Sequence, residues 1–301
     1  MKYFSTVRPD TASGQPVEFA ADADPAGREW IAALPQLIEK LRGEWGLDID
    51  DTKLLHGHNS AVQPVRRGGV RCMLKLTWPH ERTEVEARAL RAWDGNGAVQ
   101  LLDASPEVGA LLFERLDALR SLERVDLLDA AEVAGGLLRR LAIPAPEGFP
   151  RLEDLAQGIS DSLPARQEVL GNPIPPSWLD LAQELARELG ARAGKQLVHA
   201  DLHYGNVLAG EREPWLAIDP KPVAGDPEHA VPELLWRRLD EAEGAAGLQR
   251  LFEVLVESGE LNAEVARGWA IVRSVDYWLW GLENGLTDDP KRCRRIVEVM
   301  A

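Results

Sequence analysis

The chain has 301 residues, of which 45% are hydrophobic and 28% are charged, an ordinary globular composition that argues against disorder. The length allows two domains or one bilobed unit. With 34 basic and 49 acidic residues the formal net charge is −15, which argues against binding to nucleic acid or to anionic membranes.

The two cysteines, Cys72 and Cys293, lie far apart, which favours reduced thiols in a cytoplasm. The opening residues lack the apolar segment of a signal peptide, and the sequence has no run of about 18 apolar residues that could span a bilayer. We therefore expect a soluble cytoplasmic protein without a membrane partner.

The first elements are a polar lead-in, a helical region and a hairpin. Residues 1–24 are polar and rich in turn formers, and residues 25–45 show a helical period. Pro35 suits the first turn of a helix, so we expect two helices to meet there. Residues 62–66 and 70–77 read as strands joined by a short turn at Gly68 and Gly69.

The loop before this hairpin, residues 56–61, contains small residues and includes Asn59 and Ser60. Its backbone N–H groups could cover the phosphates of a nucleotide, with Asn59 and Ser60 as candidate binding residues. The loop is not Gly-x-Gly-x-x-Gly, so an ordinary hairpin turn is the alternative reading.

A buried ion pair is expected between the second strand of the hairpin and the helix that follows. Lys75 lies on the opposite strand face from Cys72 and Leu74. In the predicted helix 79–94, Glu86 falls on the apolar stripe, where a carboxylate is costly unless paired. Lys75 is its natural partner, and such a pair fixes the lysine against nucleotide phosphates in kinases. Glu84 is a rival for this role, and we expect Glu81 to be solvated.

Two further strands, at about 98–104 and 110–116, precede a half of the chain whose pattern is nearly all helical. Residues 164–176 are predicted to form a stiff, irregular linker that is either a lid or a passive surface loop. Ser177 to Asp180 reads as a capping box that opens the next helix. The predicted helices of this half are 126–141, 152–162, 177–194, 232–243, 248–258, 262–284 and 290–300.

Leu197-Val-His-Ala-Asp-Leu-His-Tyr-Gly-Asn-Val-Leu208 carries most of the chemistry, with Trp215-Leu-Ala-Ile-Asp-Pro220 following it. Asp201 and Asn206 fit the Asp-x-x-x-x-Asn frame of a kinase catalytic loop. We expect Asp201 to accept the proton of an acceptor hydroxyl, and Asn206 and Asp219 to bind Mg²⁺. The alternative reading takes His199, Asp201 and His203 as zinc or iron ligands of a hydrolase.

These motifs, with the continuation to Gly225-Asp-Pro227, resemble the aminoglycoside phosphotransferase superfamily, and most closely its streptomycin 6-kinase and hydroxyurea phosphotransferase branch. The resemblance runs from about Leu34 to the last helices. It implies an α+β, protein-kinase-like bilobal fold, with ATP and Mg²⁺ as cofactors. Residues 1–116 would form an N-lobe that binds the nucleotide, with a small antiparallel sheet and one regulatory-type helix. Residues 117–301 would form a larger helical C-lobe with the catalytic loop, the metal site and an acceptor cleft. The hinge that presents backbone amides to adenine would span Glu114 to Leu116.

Pro220 follows Asp219 where a protein kinase has Phe, and its fixed φ argues against an activation-loop switch. A small-molecule kinase is therefore favoured over a protein kinase.

The resemblance points to streptomycin or hydroxyurea as the acceptor. A guanidinium-bearing acceptor would want carboxylates in the cleft, and Lys221 is a further candidate near the transferred phosphate. The candidate acceptor-binding residues are Asp226, Glu228, Glu233, Asp276, Trp280 and Glu283. The alternatives are a kinase of another alcohol or sugar, and a catalytically silent kinase-fold binding protein. We expect a monomer or a homodimer whose partners are a nucleotide and a cationic small molecule.

Overall fold

The structure is a computed structural model, and it describes residues 25–51, 54–56, 60–78 and 81–301. The chain divides into two compact units. The division follows Leu116, except that residues 96–98 group with the second unit. The predicted lead-in, residues 1–24, lies outside the described residues. In the described parts of the chain, no helix combines the length and the apolar character that a membrane crossing requires.

Where the structure describes it, the first unit is an antiparallel sheet with two α-helices. The strands pair in the order β1-β3-β4-β6-β5, and β2 pairs with β3. The elements are α1 (Pro25–Trp45), β1 (Leu47–Ile49), β2 (Leu55–His56), β3 (Ser60–Arg67), β4 (Val70–Thr77), α2 (Glu81–Trp93), β5 (Leu101–Ser105) and β6 (Ala110–Glu114).

The β3–β4 hairpin forms as the sequence predicts. Gly68 and Gly69 have φ values of 58° and 83°, which side chains tolerate poorly and which a two-residue hairpin turn requires. The turn sets the register so that Val62 is opposite Lys75. Cys72, Leu74 and Leu76 are consequently buried on one face of the sheet, against Leu34, Ile38 and Leu41 of α1.

Helix α1 is continuous, so the prediction of two helices meeting at Pro35 is wrong. Pro35 cannot donate a backbone hydrogen bond, and a proline inside a helix costs about 3 kcal/mol. Pro35 is exposed, however, while Leu34, Ile38 and Leu41 continue one buried stripe on both sides of it. Packing of that stripe on the sheet holds the helix together through the proline.

The second unit contains seven helices among its described residues and two small antiparallel sheets. The sheets have the strand orders β11-β10-β7 and β12-β9-β8. The elements are β7 (Asp117–Ser121), α3 (Leu127–Leu141), β8 (Ile143–Pro144), α4 (Leu152–Val169), α5 (Pro176–Ala191), β9 (Gln196–Val198), β10 (Val207–Ala209), β11 (Leu216–Ala217), β12 (Val223–Gly225), α6 (Val231–Arg237), α7 (Gly244–Gly259), α8 (Ala263–Glu283) and α9 (Asp288–Met300).

Helix α4 continues through Pro164, which corrects the predicted end near residue 162 and the predicted linker from 164. Pro164 lacks the N–H that would bond the carbonyl oxygen of Ser160. Gln183 of α5 replaces it, since its Nε2 donates to that oxygen at 2.9 Å. Leu163 and Gln167 stay on the buried stripe. A side chain from the neighbouring helix therefore compensates for the proline.

The connection between α4 and α5 is short and packed. Ile174 is buried, and both its N–H and its C=O bond the side-chain amide of Gln167, at 3.2 and 2.6 Å. These contacts indicate a packed connection and argue against the predicted lid. The predicted capping box at Ser177 does not form either. The helix begins at Pro176, whose ring supplies the first-turn φ, and it has no side-chain cap.

Candidate active site

In the first unit, Lys75 and Glu86 form a buried ion pair. Lys75 Nζ donates to Glu86 Oε1 at 2.8 Å and to Oε2 at 3.0 Å, and the two side chains are 10% and 7% exposed. The pairing predicted from the strand alternation and the helix stripe is confirmed. Glu84 is exposed, which removes it as the rival. The side chain of Glu81 lies outside what the structure describes.

The predicted phosphate-covering loop is described only at its end. Asn59 lies outside the described residues, and Ser60 is the first residue of β3, opposite Thr77. The role of both residues in nucleotide binding stays a prediction.

The predicted hinge lies at the end of β6. Glu114 exchanges two hydrogen bonds with Gln100: its Oε1 accepts from the backbone N–H of Gln100 at 2.7 Å, and its own N–H donates to the carbonyl at 3.1 Å. The side chain of Glu114 therefore stabilises the end of the sheet. Leu116 is buried and ends the first unit.

In the second unit, the β10–β11 hairpin brings Asn206 and Asp219 to neighbouring positions. Val207 pairs with Ala217, so the residues that flank the hairpin, Asn206 and Ile218, lie opposite each other. The N–H of Ile218 donates to the Asn206 carbonyl at 2.9 Å. Asn206 Nδ2 donates to the backbone oxygen of Asp201 at 2.9 Å, which ties the loop to this hairpin.

Two residues of this site adopt left-handed backbone conformations without being glycine. Ala200 has φ 55° and Asp219 has φ 56°. Asp tolerates this region better than most residues, whereas for alanine it costs about 1–2 kcal/mol. The strain lies immediately before Asp201 and at Asp219, the two carboxylates that the sequence singles out.

Asp201 is buried and forms an ion pair with Lys221. Lys221 Nζ donates to Asp201 Oδ2 at 2.6 Å, and the backbone N–H of Lys221 donates to the carbonyl of His199 at 2.9 Å. The chain segments on either side of Asp219 are thus bonded to those on either side of Asp201. Together these segments form a compact group that contains the candidate base Asp201 and the cation Lys221. The same group contains Asn206 and Asp219, the candidate oxygen ligands of a metal ion.

The two histidines of the motif support the loop. His199 Nε2 lies 3.0 Å from the carbonyl oxygen of Ile218, and burial lowers the pKa of His199 to about 4. His203 Nδ1 accepts the N–H of Gly205 at 3.1 Å, and burial, with Arg237 nearby, holds its pKa well below the ordinary value. Both side chains are therefore neutral at pH 7.

The zinc or iron reading of this motif finds no support in the geometry. Within the described residues, no group of three or more His, Cys, Asp or Glu side chains is arranged to hold a metal ion. The magnesium site predicted at Asp219 and Asn206 has one carboxylate and one amide, so it is not a group of this kind.

Two of the predicted acceptor residues bond the backbone. Asp226 Oδ1 accepts the N–H of Gly194 at 2.7 Å, and Glu228 Oε1 accepts the N–H of Asn262 at 2.8 Å. Burial raises the pKa of both carboxyl groups. Each carboxylate therefore has a structural partner.

Glu233 lies between two arginines. It accepts from Arg237 at 3.1 Å and from Arg273 at 3.2 Å, and all three side chains are largely buried. Burial opposes the charge of Arg237, but Glu233 and Asp201 favour the charged form and raise its pKa. Arg237 is therefore electrostatically linked to the candidate base, a link that the sequence analysis missed.

Asp276 and Glu283 hold one arginine of α4. Arg166 donates to Asp276 Oδ1 at 2.5 Å and to Glu283 Oε1 at 2.7 Å. Trp280 lies between these carboxylates on the same helix face and stacks on Tyr277, with ring centroids 5.2 Å apart. Asp276, Trp280 and Glu283 therefore lie on one face of α8, as the sequence predicts. Its arginine partner was not predicted, because no spacing in the sequence links Arg166 to α8.

Comparison with known proteins places these motifs in a family. The model of the aminoglycoside/hydroxyurea antibiotic resistance kinase family matches residues 45–285. The chain belongs to this family. It is 41% identical over 266 residues to streptomycin 6-kinase of Streptomyces glaucescens, with 86% of each chain covered. It is 41% identical over 281 residues to hydroxyurea phosphotransferase of Kitasatospora aureofaciens, covering 91% of this chain and 81% of the relative.

A solved structure has the same fold. Aminoglycoside phosphotransferase APH(4)-Ia superposes with a TM-score of 0.60 at 17% identity, covering 87% of this chain and 97% of that one. The predicted family, the α+β kinase-like fold and the phosphotransferase class are confirmed. The roles of individual residues remain predictions.

Proposed function

We propose that this chain is an ATP-dependent kinase that phosphorylates a hydroxyl of a streptomycin-type aminoglycoside or of hydroxyurea. The named relatives support this activity, and the APH(4)-Ia structure was solved with ADP and hygromycin B bound. The observation in this chain that carries the proposal is the buried Asp201 carboxylate, held by Lys221 in a loop that Asn206 ties down.

Asp201 would accept the proton of the acceptor hydroxyl and orient its oxygen toward the γ-phosphate. Lys75, fixed by Glu86, would bind the α- and β-phosphates. The backbone at Asn59 and Ser60 would cover the phosphates, and the backbone from Glu114 to Leu116 would bind adenine.

The donors at Asn206 and Asp219 fit magnesium, which prefers oxygen ligands. Asn206 Nδ2 donates to the backbone oxygen of Asp201, which leaves Oδ1 as the atom that would bind the metal. The carboxylate of Asp219 follows the paired Ile218 and is partly exposed. Bound Mg²⁺ would neutralise the charge that develops on the phosphates.

For a cationic acceptor, the α8 cluster of Asp276, Trp280 and Glu283 is the best of the predicted surfaces. Its two carboxylates share one cation, Arg166, and therefore carry a net charge of −1. They are also 32% exposed each, whereas Glu228 and Glu233 are buried. A guanidinium could pair with a carboxylate edge and stack on the indole of Trp280.

We place the protein in the cytoplasm, as a monomer or a homodimer. The two free, buried cysteines support a reducing compartment, and ATP is available there.

An acceptor screen with labelled ATP tests the proposed function. Streptomycin, other aminoglycosides, hydroxyurea and simple polyols are offered in turn with and without Mg²⁺. We expect Mg²⁺-dependent transfer to streptomycin or hydroxyurea. Transfer only to a polyol or amino alcohol would favour a metabolic kinase. Nucleotide binding without transfer to any acceptor would indicate a silent binding protein.

A further inference from the structure

We propose that Lys221 is a positioning residue for phosphoryl transfer, which holds the Asp201 carboxylate in the orientation that receives the acceptor hydroxyl. This inference rests on the proposed kinase function and deepens it, because it gives the contact between Lys221 and Asp201 a role in the transfer step.

The contact itself is short and sheltered. Lys221 Nζ lies 2.6 Å from Asp201 Oδ2, the lysine side chain is 24% exposed and the aspartate side chain 9%. Charge-assisted hydrogen bonds of this length are about twice as strong as neutral ones. The bond occupies one carboxylate oxygen and leaves Oδ1 to accept from the acceptor hydroxyl.

The backbone fixes where the ammonium group can lie. The N–H of Lys221 donates to the His199 carbonyl, and Val223 pairs with Val198 in the β9–β12 ladder. Pro220 has its φ fixed by its ring. Lys221 is therefore anchored to the same strand that leads into Asp201, so the two side chains are positioned by one element.

The other cationic candidates close to Asp201 have different partners. Arg237 donates to Glu233 through both Nε and Nη2, at 3.2 and 3.1 Å. His203 accepts a hydrogen bond at Nδ1, so that nitrogen carries no proton. Among the described residues, Lys221 is the cation that bonds the carboxylate of Asp201 directly.

In the transfer step, the acceptor oxygen forms a bond to the γ-phosphorus and its proton passes to Asp201 Oδ1. The bond from the γ-phosphorus to the bridging oxygen breaks, and the electron pair leaves with ADP. Lys221 forms and breaks no covalent bond. Its ammonium keeps the carboxylate from rotating away, and a misplacement of about 1 Å at such a group can cost about 10²-fold in rate.

Lys221→Met, with Lys221→Arg as the conservative variant, tests the inference. We expect Lys221→Met to lower kcat by about 10²-fold while the nucleotide Kd and the KM for acceptor stay within about threefold. The kcat of Lys221→Arg should be at least about tenfold higher than that of Lys221→Met, since the guanidinium can still bond Asp201 Oδ2. Lys221→Gln replaces the methionine variant if the latter does not fold.

Lys291→Met is the matched control, because it removes a 3.0 Å lysine–aspartate pair with Asp288 whose side chains are 75% and 73% exposed. It should leave kcat unchanged. A Lys221→Met variant with kcat within about threefold of wild type would overturn the inference, as would an equal loss in Lys221→Arg. A parallel loss of nucleotide affinity and Tm would indicate a structural role and overturn it too.

The proposed function fails separately. If wild type transfers phosphate to water or to a polyol but to neither drug, the acceptor assignment falls and the Lys221 variants are still compared on that reaction. If wild type transfers phosphate to nothing, water included, both proposals fall.

Discussion

The buried pair of Lys75 and Glu86 should show a much larger coupling energy than an exposed pair of the same geometry. At 2.8 Å and an effective dielectric constant of about 20, the Coulomb attraction is about 6 kcal/mol. Desolvation of two buried ions offsets a large part of this. We therefore expect a coupling energy of about 2–4 kcal/mol between Lys75→Met and Glu86→Gln, and each single variant should cost about 3–5 kcal/mol because it removes the opposite charge beside a buried ion.

A second pair in the same unit serves as control. Arg67 and Asp103 lie 3.0 Å apart, but their side chains are 35% and 41% exposed. Their coupling should stay below about 1 kcal/mol, since solvent screens exposed pairs. The two N···O distances are nearly equal, so the difference in burial should account for the difference between the two coupling energies.

The assay is a double-mutant cycle in denaturant without nucleotide, with hydrogen exchange of β4 and α2 recorded in parallel. The exchange data assign any loss to the unit that holds the pair. Additive effects of Lys75→Met and Glu86→Gln, or equal coupling in both cycles, would refute the reasoning.

Three further predictions concern the second unit. Gln183→Leu should lower the unfolding free energy by about 1–3 kcal/mol through loss of the bond to the Ser160 carbonyl, and in a Pro164→Ala background the loss should shrink because the substituted alanine supplies its own N–H. Denaturant unfolding of wild type, the two single variants and the double variant measures this, and equal losses in the two backgrounds would contradict it. Burial holds the pKa of His199 at about 4 in the folded protein, so its contribution to stability is complete above the unfolded pKa of about 6.5 and is lost as pH falls toward 4. The unfolding free energy of His199→Gln, measured against pH, should therefore decline less steeply than that of wild type over this range, and an unchanged slope would count against the prediction. Asp219→Ala should abolish the Mg²⁺-dependent part of nucleotide binding, measured by calorimetry with and without Mg²⁺, and retained Mg²⁺ dependence would remove Asp219 from the metal site.

The parts of the site that the sequence predicted depend on short-range order. The two-residue turn at Gly68 and Gly69 sets the register of β4, and strand alternation then puts Lys75 on the face opposite Cys72. The helical period of α2 selects Glu86 over Glu84. Local patterns of this kind are visible in the sequence because each depends on neighbours a few residues away.

The parts that the sequence did not predict depend on contacts between distant segments. Lys221 reaches Asp201 across twenty positions, and Gln183 repairs the gap left by Pro164 from another helix. The strands β8 and β11 have two residues each, too short to show a period of two. Their pairing is fixed by the packing of the second unit, and the sequence therefore reads as almost entirely helical there.

The central claim is that Asp201 prepares the acceptor hydroxyl for phosphoryl transfer. Single-turnover transfer of the labelled γ-phosphate, measured in Asp201→Asn with nucleotide Kd determined on the same sample, tests it directly. Asp180→Asn, an exposed carboxylate on α5, is the control and should match wild type. We expect a rate about 10²- to 10⁴-fold lower in Asp201→Asn at unchanged nucleotide affinity. Transfer at the wild-type rate by Asp201→Asn would contradict it.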